Sequence, residues 1–250
     1  MSDLDQEVRG PVPPESVVKS RLMLYMGCLQ LWTWLAAVLF LLLCQIGLMI
    51  GSLGTNRWVT EGYGSNQWFG GLTTCNSCPQ PWRNQDYTSL AEDLCSLSDP
   101  RFTHYCNVFE DLRDAGGQFL FFELVSIATV IAWMAKIAAI LTDKECLVRV
   151  PWVAYSLGLL ATFFHWVGII LWGAVTNARF DAECDQMTVA DDKPELCGSR
   201  GPIIAIVVAV MFPIILIMFS FVYYRIGSDP IKKKPEEFER PGRTSTKLNY

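Results

Sequence analysis

Four apolar stretches, each long enough to cross a lipid bilayer, leave this sequence few folds to adopt. A bilayer core is about 30 Å thick, so a spanning helix needs roughly 20 mostly apolar residues. The stretches occupy residues 28–50, 118–141, 151–175 and 202–224. Charged residues supply 18% of the chain, against about 25% in a typical soluble domain, and they gather between the stretches. A soluble chain of 250 residues would have no polar shell left to cover four such blocks. The expected fold class is therefore an all-α membrane protein, a four-transmembrane-helix bundle.

The first stretch is longer than the roughly 7–15 apolar residues of a cleaved signal peptide, and it reads as a retained signal anchor. Aromatic rings with a polar edge favour the headgroup level. Trp32 and Trp34 fit that place in the first stretch, Trp152, Tyr155 and Trp172 in the third, and Tyr223 and Tyr224 in the fourth.

The lysines and arginines assign the two sides. Arg225, Lys232, Lys233, Lys234, Arg240, Arg243 and Lys247 follow the fourth stretch, Lys144 and Arg149 sit in the short turn, and Lys19 and Arg21 precede the first. Both long loops are acidic: Glu61, Asp86, Glu92, Asp93, Asp99, Glu110, Asp111 and Asp114 in the first, and Asp181, Glu183, Asp185, Asp191, Asp192 and Glu195 in the second. By the positive-inside rule the termini and the turn face the cytoplasm. The expected order is a cytoplasmic segment 1–27, span 28–50, extracellular loop 51–117, span 118–141, turn 142–150, span 151–175, extracellular loop 176–201, span 202–224 and a basic tail 225–250. The expected location is the plasma membrane or another secretory-pathway membrane.

The cysteines point to the same orientation. Cys75, Cys78, Cys95, Cys106, Cys184 and Cys197 all fall in the two outer loops, where an oxidising compartment keeps disulfides. Cys184 and Cys197 are expected to pair within their short loop. The four in the first loop allow three pairings, and spacing does not choose among them. A zinc site would need more than the Cys75–Cys78 CxxC and His104, since no second CxxC follows. Glycine-bounded β-like pieces at 56–60 and 67–69, with Trp58, Trp68, Trp82, Tyr87, Phe102 and Tyr105, predict a small disulfide-braced, β-rich extracellular cap.

Beyond the first span come Asn56-Arg57-Trp58, then Trp68-Phe69-Gly70-Gly71-Leu72-Thr73-Thr74-Cys75, then further loop cysteines. This order resembles the W-GLW-C-C pattern of the claudin, peripheral myelin protein and calcium-channel gamma subunit superfamily, as a divergent member with Thr73 where that family has Trp. The loop plan, long first and short second, is also similar. The resemblance covers most of the chain as topology and about 20 residues as motif. It implies a left-handed bundle and an outer sheet built mainly from the first loop, with one disulfide stapling two strands. It also implies that Trp58, Gly70, Gly71 and Leu72 wedge the sheet against the bilayer surface. Tetraspanins, the rival four-span family, carry their large loop between the third and fourth spans with a Cys-Cys-Gly that is absent here.

Ionisable residues within spans are functional candidates by default. Glu123 and Lys136 share the second span, about 20 Å apart along a helix, too far to pair within it. Both stand near its ends, where snorkelling is possible; the sharper reading has Glu123 bonding to a neighbouring helix. His165, mid-way along the third span, reads as a helix–helix hydrogen bond. Ala154, Gly158 and Thr162 offer a close-packing face, and Pro213 predicts a kink. Lys232, Lys233 and Lys234 are placed to touch anionic inner-leaflet lipid.

No phosphate loop, nucleophile elbow or metal-ligand set appears, so the chain reads as non-enzymatic, without cofactor or bound metal and without nucleic-acid partners. The expected role is an auxiliary or scaffold subunit of a channel or receptor. It would bind membrane lipid and an integral membrane partner through its helix faces and cap, with homo-oligomers possible. The alternatives are a cell–cell junction or adhesion protein and a self-contained pore.

Overall fold

A heptad seam runs along every long helix. In α1 (Leu31–Gly54) the buried residues are Leu31, Leu35, Val38, Leu42, Gln45, Met49 and Ser52, at alternating steps of four and three. In α3 (Pro100–Leu141) the same steps bury Phe119, Glu123, Ser126, Val130, Trp133, Ile137 and Ile140. They bury Ala154, Gly158, Ala161, His165, Gly168 and Trp172 in α4 (Pro151–Thr176) and Ala205, Val208, Phe212, Ile215, Phe219 and Val222 in α5 (Arg200–Ser228). Steps averaging 3.5 keep one seam facing the neighbours when helices supercoil left-handedly. The computed structural model describes residues 25–26, 29–61, 68–78, 80–97, 100–142, 151–180 and 196–228. Cys184, Lys232, Lys233 and Lys234 lie outside them, as does most of the turn expected at 142–150.

The four helices alternate in direction, and their outward faces are apolar. Phe40, Ile50, Phe121, Ile131, Phe163, Ile170, Val210, Ile217 and Phe221 are all exposed, while Gln45, Glu123, Ser126, Lys136 and His165 are buried. A water-soluble protein distributes these classes the other way round. All four helices are long and apolar enough to cross a membrane. The chain is a multi-pass membrane protein.

At the end of the bundle where α1 finishes and α5 begins, a small cap is assembled. Strands β3 (Val59–Glu61), β4 (Trp68–Gly70) and β7 (Cys197–Gly198) form an antiparallel sheet in the order β4-β3-β7. The register pairs Val59 with Gly70 and Glu61 with Trp68 on one side, and Val59 with Gly198 on the other. A second pair, β5 (Thr74–Cys75) and β6 (Gln85–Asp86), leads into α2 (Tyr87–Cys95). Asp86 caps α2 by accepting from Ser89 N–H at 2.9 Å, and these hydrogen bonds hold its carboxyl below the usual carboxylate range. A short pair, β1 (Tyr25–Met26) and β2 (Leu29–Gln30), precedes α1.

Three expectations change. The cap contains more helix than strand: α3 starts at Pro100, inside the segment assigned to the loop, and packs there against α2. The run from 102 to 115 is amphipathic, burying Val108, Phe109, Leu112 and Ala115 against the cap, and helical periodicity continues through Gly116 and Gly117 into the span. Neither of the two disulfides formed among the described residues staples two strands. Cys75–Cys78 ties β5 to the loop after it, and Cys95–Cys106 ties the end of α2 to the start of α3, with Cα–Cα distances of 5.6 and 5.0 Å. Cys197 is also disulfide-bonded, to a cysteine outside the described residues. Finally, Trp172, expected at a headgroup level, is buried, whereas Trp32 and Trp152 are exposed.

Candidate functional site

Trp58 joins the cap to the bundle. It follows α1 by a few residues, and the β3 ladder fixes its backbone. Its N–H donates to Gly70 O at 2.7 Å, and its carbonyl accepts from Ser199 N–H at 2.9 Å. Its ring points down between the helices. Indole Nε1 donates to the Ser52 carbonyl of α1 at 2.8 Å. The ring centroid lies 4.7 Å from Phe119 of α3 and 5.2 Å from Trp172 of α4. Gly201 of α5 presses so closely on the indole that a Cβ there would overlap it. One side chain thus touches all four spanning helices and is 1% exposed. Its ring enters the mouth of the bundle, where Gly201, lacking a Cβ, leaves it room.

Of the motif glycines, Gly70 has a packing reason. A Cβ at Gly70 would overlap the Tyr87 hydroxyl, which donates to the Gly71 carbonyl at 3.0 Å. Burial pushes the Tyr87 phenol well above its usual range. The backbone at Leu72 rests on Gly116 of α3, where a Cβ would overlap its carbonyl. Cys75 is fully buried beneath this layer.

Below the indole lies a polar cluster. Glu123 of α3 and His165 of α4 are both fully buried, and His165 Nδ1 lies 2.5 Å from Glu123 Oε2. His165 Nε2 faces the Ala205 carbonyl of α5 at 3.0 Å. Rings of Phe119 and Phe212 flank the imidazole, with centroids 6.5 and 5.3 Å away. A turn deeper, Ser126 Oγ donates to the Ala161 carbonyl of α4 at 2.9 Å. Glu123 therefore does not snorkel; it binds a neighbouring helix, and so does His165. Lys136, expected near the lipid edge, is 8% exposed and lies inside the bundle.

Sequence reading placed Glu123 and His165 separately and did not join them. The usable signal was depth. Glu123 stands one turn below Phe119, and His165 two turns below Trp172, both residues of the Trp58 layer.

The cap carries a second pair. Glu61 of β3 is 3% exposed, and its Oε1 lies 3.3 Å from His104 Nε2 on the first turns of α3. Burial raises the Glu61 carboxyl above its usual range, with His104 partly opposing that shift. Burial, and then the Glu61 charge, raise the Tyr105 phenol. Cys95, Cys106 and Glu110 come close enough together to suggest a metal site, but both sulfurs are consumed in the disulfide.

No family model matches the chain, and no curated protein is similar to it in sequence.

Proposed function

We propose that this chain is a non-enzymatic, claudin-like four-span protein that serves as an auxiliary or scaffold subunit of a larger membrane complex, a channel or receptor. In this reading the disulfide-bonded cap is extracellular and both termini are cytoplasmic. The observation that carries it is the division of surfaces. Polar groups of the spans are turned inward, and two of them bond helix to helix, Glu123 to His165 and Ser126 to the Ala161 carbonyl. That leaves the apolar helix faces and the cap surface as the places where another protein can be met. A cap clamped to all four helices by Trp58 is suited to presenting a fixed surface. Its acidic loops favour a basic or cationic counterpart.

The same interior argues against a pore. Phe119, Trp133, Phe212 and Phe219 are fully buried along the seams and fill the bundle. A junction protein would use the same cap against a like cap on the next cell.

Purification of the intact chain in mild detergent tests the proposal. One larger membrane protein in fixed stoichiometry is the expected result. Recovery of the chain alone, with strands forming at contacts between cells that otherwise lack junctions, would overturn it in favour of the junction role.

A further inference from the structure

We propose that Glu61 and His104 form a binding site in the cap for a divalent transition-metal ion such as zinc, joining strand β3 to the start of α3. The site does not depend on which partner the protein has.

The two side chains come from regular elements far apart in sequence. Glu61 ends β3 and is paired with Trp68 across the ladder. His104 stands on the first turns of α3, 43 residues later. The Cys95–Cys106 disulfide ties that part of α3 to α2. Phe102 and Tyr105, on either side of His104, pack on the Trp82 ring with centroids 6.2 Å away. Ligands carried on elements held in this way keep their spacing in advance of binding.

That spacing fits a metal better than a strong hydrogen bond. A charged N–H donor and a carboxylate oxygen settle about 2.7–2.9 Å apart. Glu61 Oε1 and His104 Nε2 are 3.3 Å apart. Zinc binds imidazole nitrogen and carboxylate oxygen at about 2.0–2.2 Å, which puts two ligand atoms of a tetrahedral site about 3.3–3.5 Å from each other. The carboxylate is also short of partners. Glu61 is 3% exposed, and its Oε2 makes no hydrogen bond among the described residues. A divalent cation compensates a buried negative charge in that position.

Ions can reach the site, since the His104 side chain is 42% exposed. The exposed acids Glu92, Glu110 and Asp114 of α2 and α3 raise the local cation concentration. An imidazole beside a carboxylate selects zinc over calcium and magnesium, which prefer oxygen ligands alone. Two protein ligands leave the other positions to water, so binding is reversible. The site is not the combination of His104 with Cys75 and Cys78, whose sulfurs are joined to each other.

The chain has two histidines, and His165 is fully buried, so His104 is the imidazole a reagent in water meets. The experiment is acylation of His104 by diethyl pyrocarbonate in the full chain in detergent micelles, carrying no histidine tag, followed by mass spectrometry at increasing free zinc. Zinc on Nε2 leaves the hydrogen on Nδ1, and the ring stops reacting. The rate is expected to fall about tenfold for each tenfold rise in zinc beyond half-saturation. Glu61→Gln should move half-saturation upward by about tenfold or more, at least the loss seen when an outer partner of a ligand is removed. Glu110→Gln should leave it in place. No slowing up to about 1 mM zinc, where binding is too weak to constitute a site, would overturn the proposal. Equal protection by magnesium or calcium would overturn it as well, as would a Glu61→Gln protein protected like wild type or a shift in Glu110→Gln. If Glu61→Gln fails to fold, the comparison of metals on the wild-type protein still decides.

Discussion

The Trp58 indole donates a hydrogen bond to the Ser52 carbonyl at 2.8 Å, from the residue just before cap strand β3 to the last turn of the first spanning helix. Six residues separate the two. Within that distance the chain leaves α1, turns, and sends its ring back into the bundle it has just left. The cap cannot then tilt without pulling the ring from contact with Phe119, Trp172 and Gly201.

Trp58→Ala is expected to destabilise the protein by about 3–5 kcal/mol, the usual cost of truncating a buried large aromatic. Trp58→Phe should cost about 1 kcal/mol, because Ser52 O keeps the Thr55 N–H at 3.4 Å and the ring packing is largely retained. Denaturation in mixed micelles checks both values. Equal losses would mean that the hydrogen bond, not the packing, holds the joint.

Among the glycines of α4, Gly158 has the least room for a Cβ. A Cβ there would sit 2.8 Å from Leu216 Cδ1 and 2.9 Å from the Trp133 ring. Leucine can swing away, but Trp133 is fully buried and cannot. Gly158→Ala should cost about 1–3 kcal/mol through overpacking. Gly173→Ala on the same helix meets nothing within 4 Å; it should be neutral, or stabilising by up to about 1 kcal/mol through helix propensity. Thermal unfolding of the two variants side by side checks the contrast.

Glu61 gives the cap its own pH dependence. Burial raises its folded carboxyl above the usual 4.5, so the folded cap binds this proton more tightly than the unfolded chain does. The resulting stability is fully present below 4.5 and is lost as pH rises through the folded value. Glu61→Gln should make the cap more protease-resistant than wild type at neutral pH and leave it unchanged in acid. A wild-type cap that strengthens on going from acid to neutral pH would show the His104 contact outweighing burial.

The sequence was most informative where one physical rule acts alone. Hydrocarbon length and apolarity located all four spans, since a lipid-crossing segment has few alternatives to a helix. The cap was harder because its elements depend on long-range partners. The β-like piece expected at 56–60 becomes a strand only from Val59 on, and the Trp58 indole packs into the bundle against Gly201, a contact distant in sequence. The stretch from 100 to 117 was read as loop because its charges and His104 hide a helical face made of Val108, Phe109, Leu112 and Ala115. Among the first-loop cysteines, spacing allowed three pairings. The contact of α2 with α3 brings Cys95 to Cys106 and leaves Cys75 to its neighbour Cys78. The Glu123–His165 pair spans 42 residues, a separation that no local pattern encodes.

The sidedness of the bundle is the claim on which the proposed role depends, and native lysines can report it. Intact cells are treated with a membrane-impermeant amine reagent, and the labelled peptides are identified by mass spectrometry before and after permeabilisation. Lys193, in the loop carrying Cys184 and Cys197, should react from outside, while Lys232, Lys233 and Lys234 react only once the membrane is opened. Labelling of the three-lysine tail in intact cells, with Lys193 protected, would contradict the account.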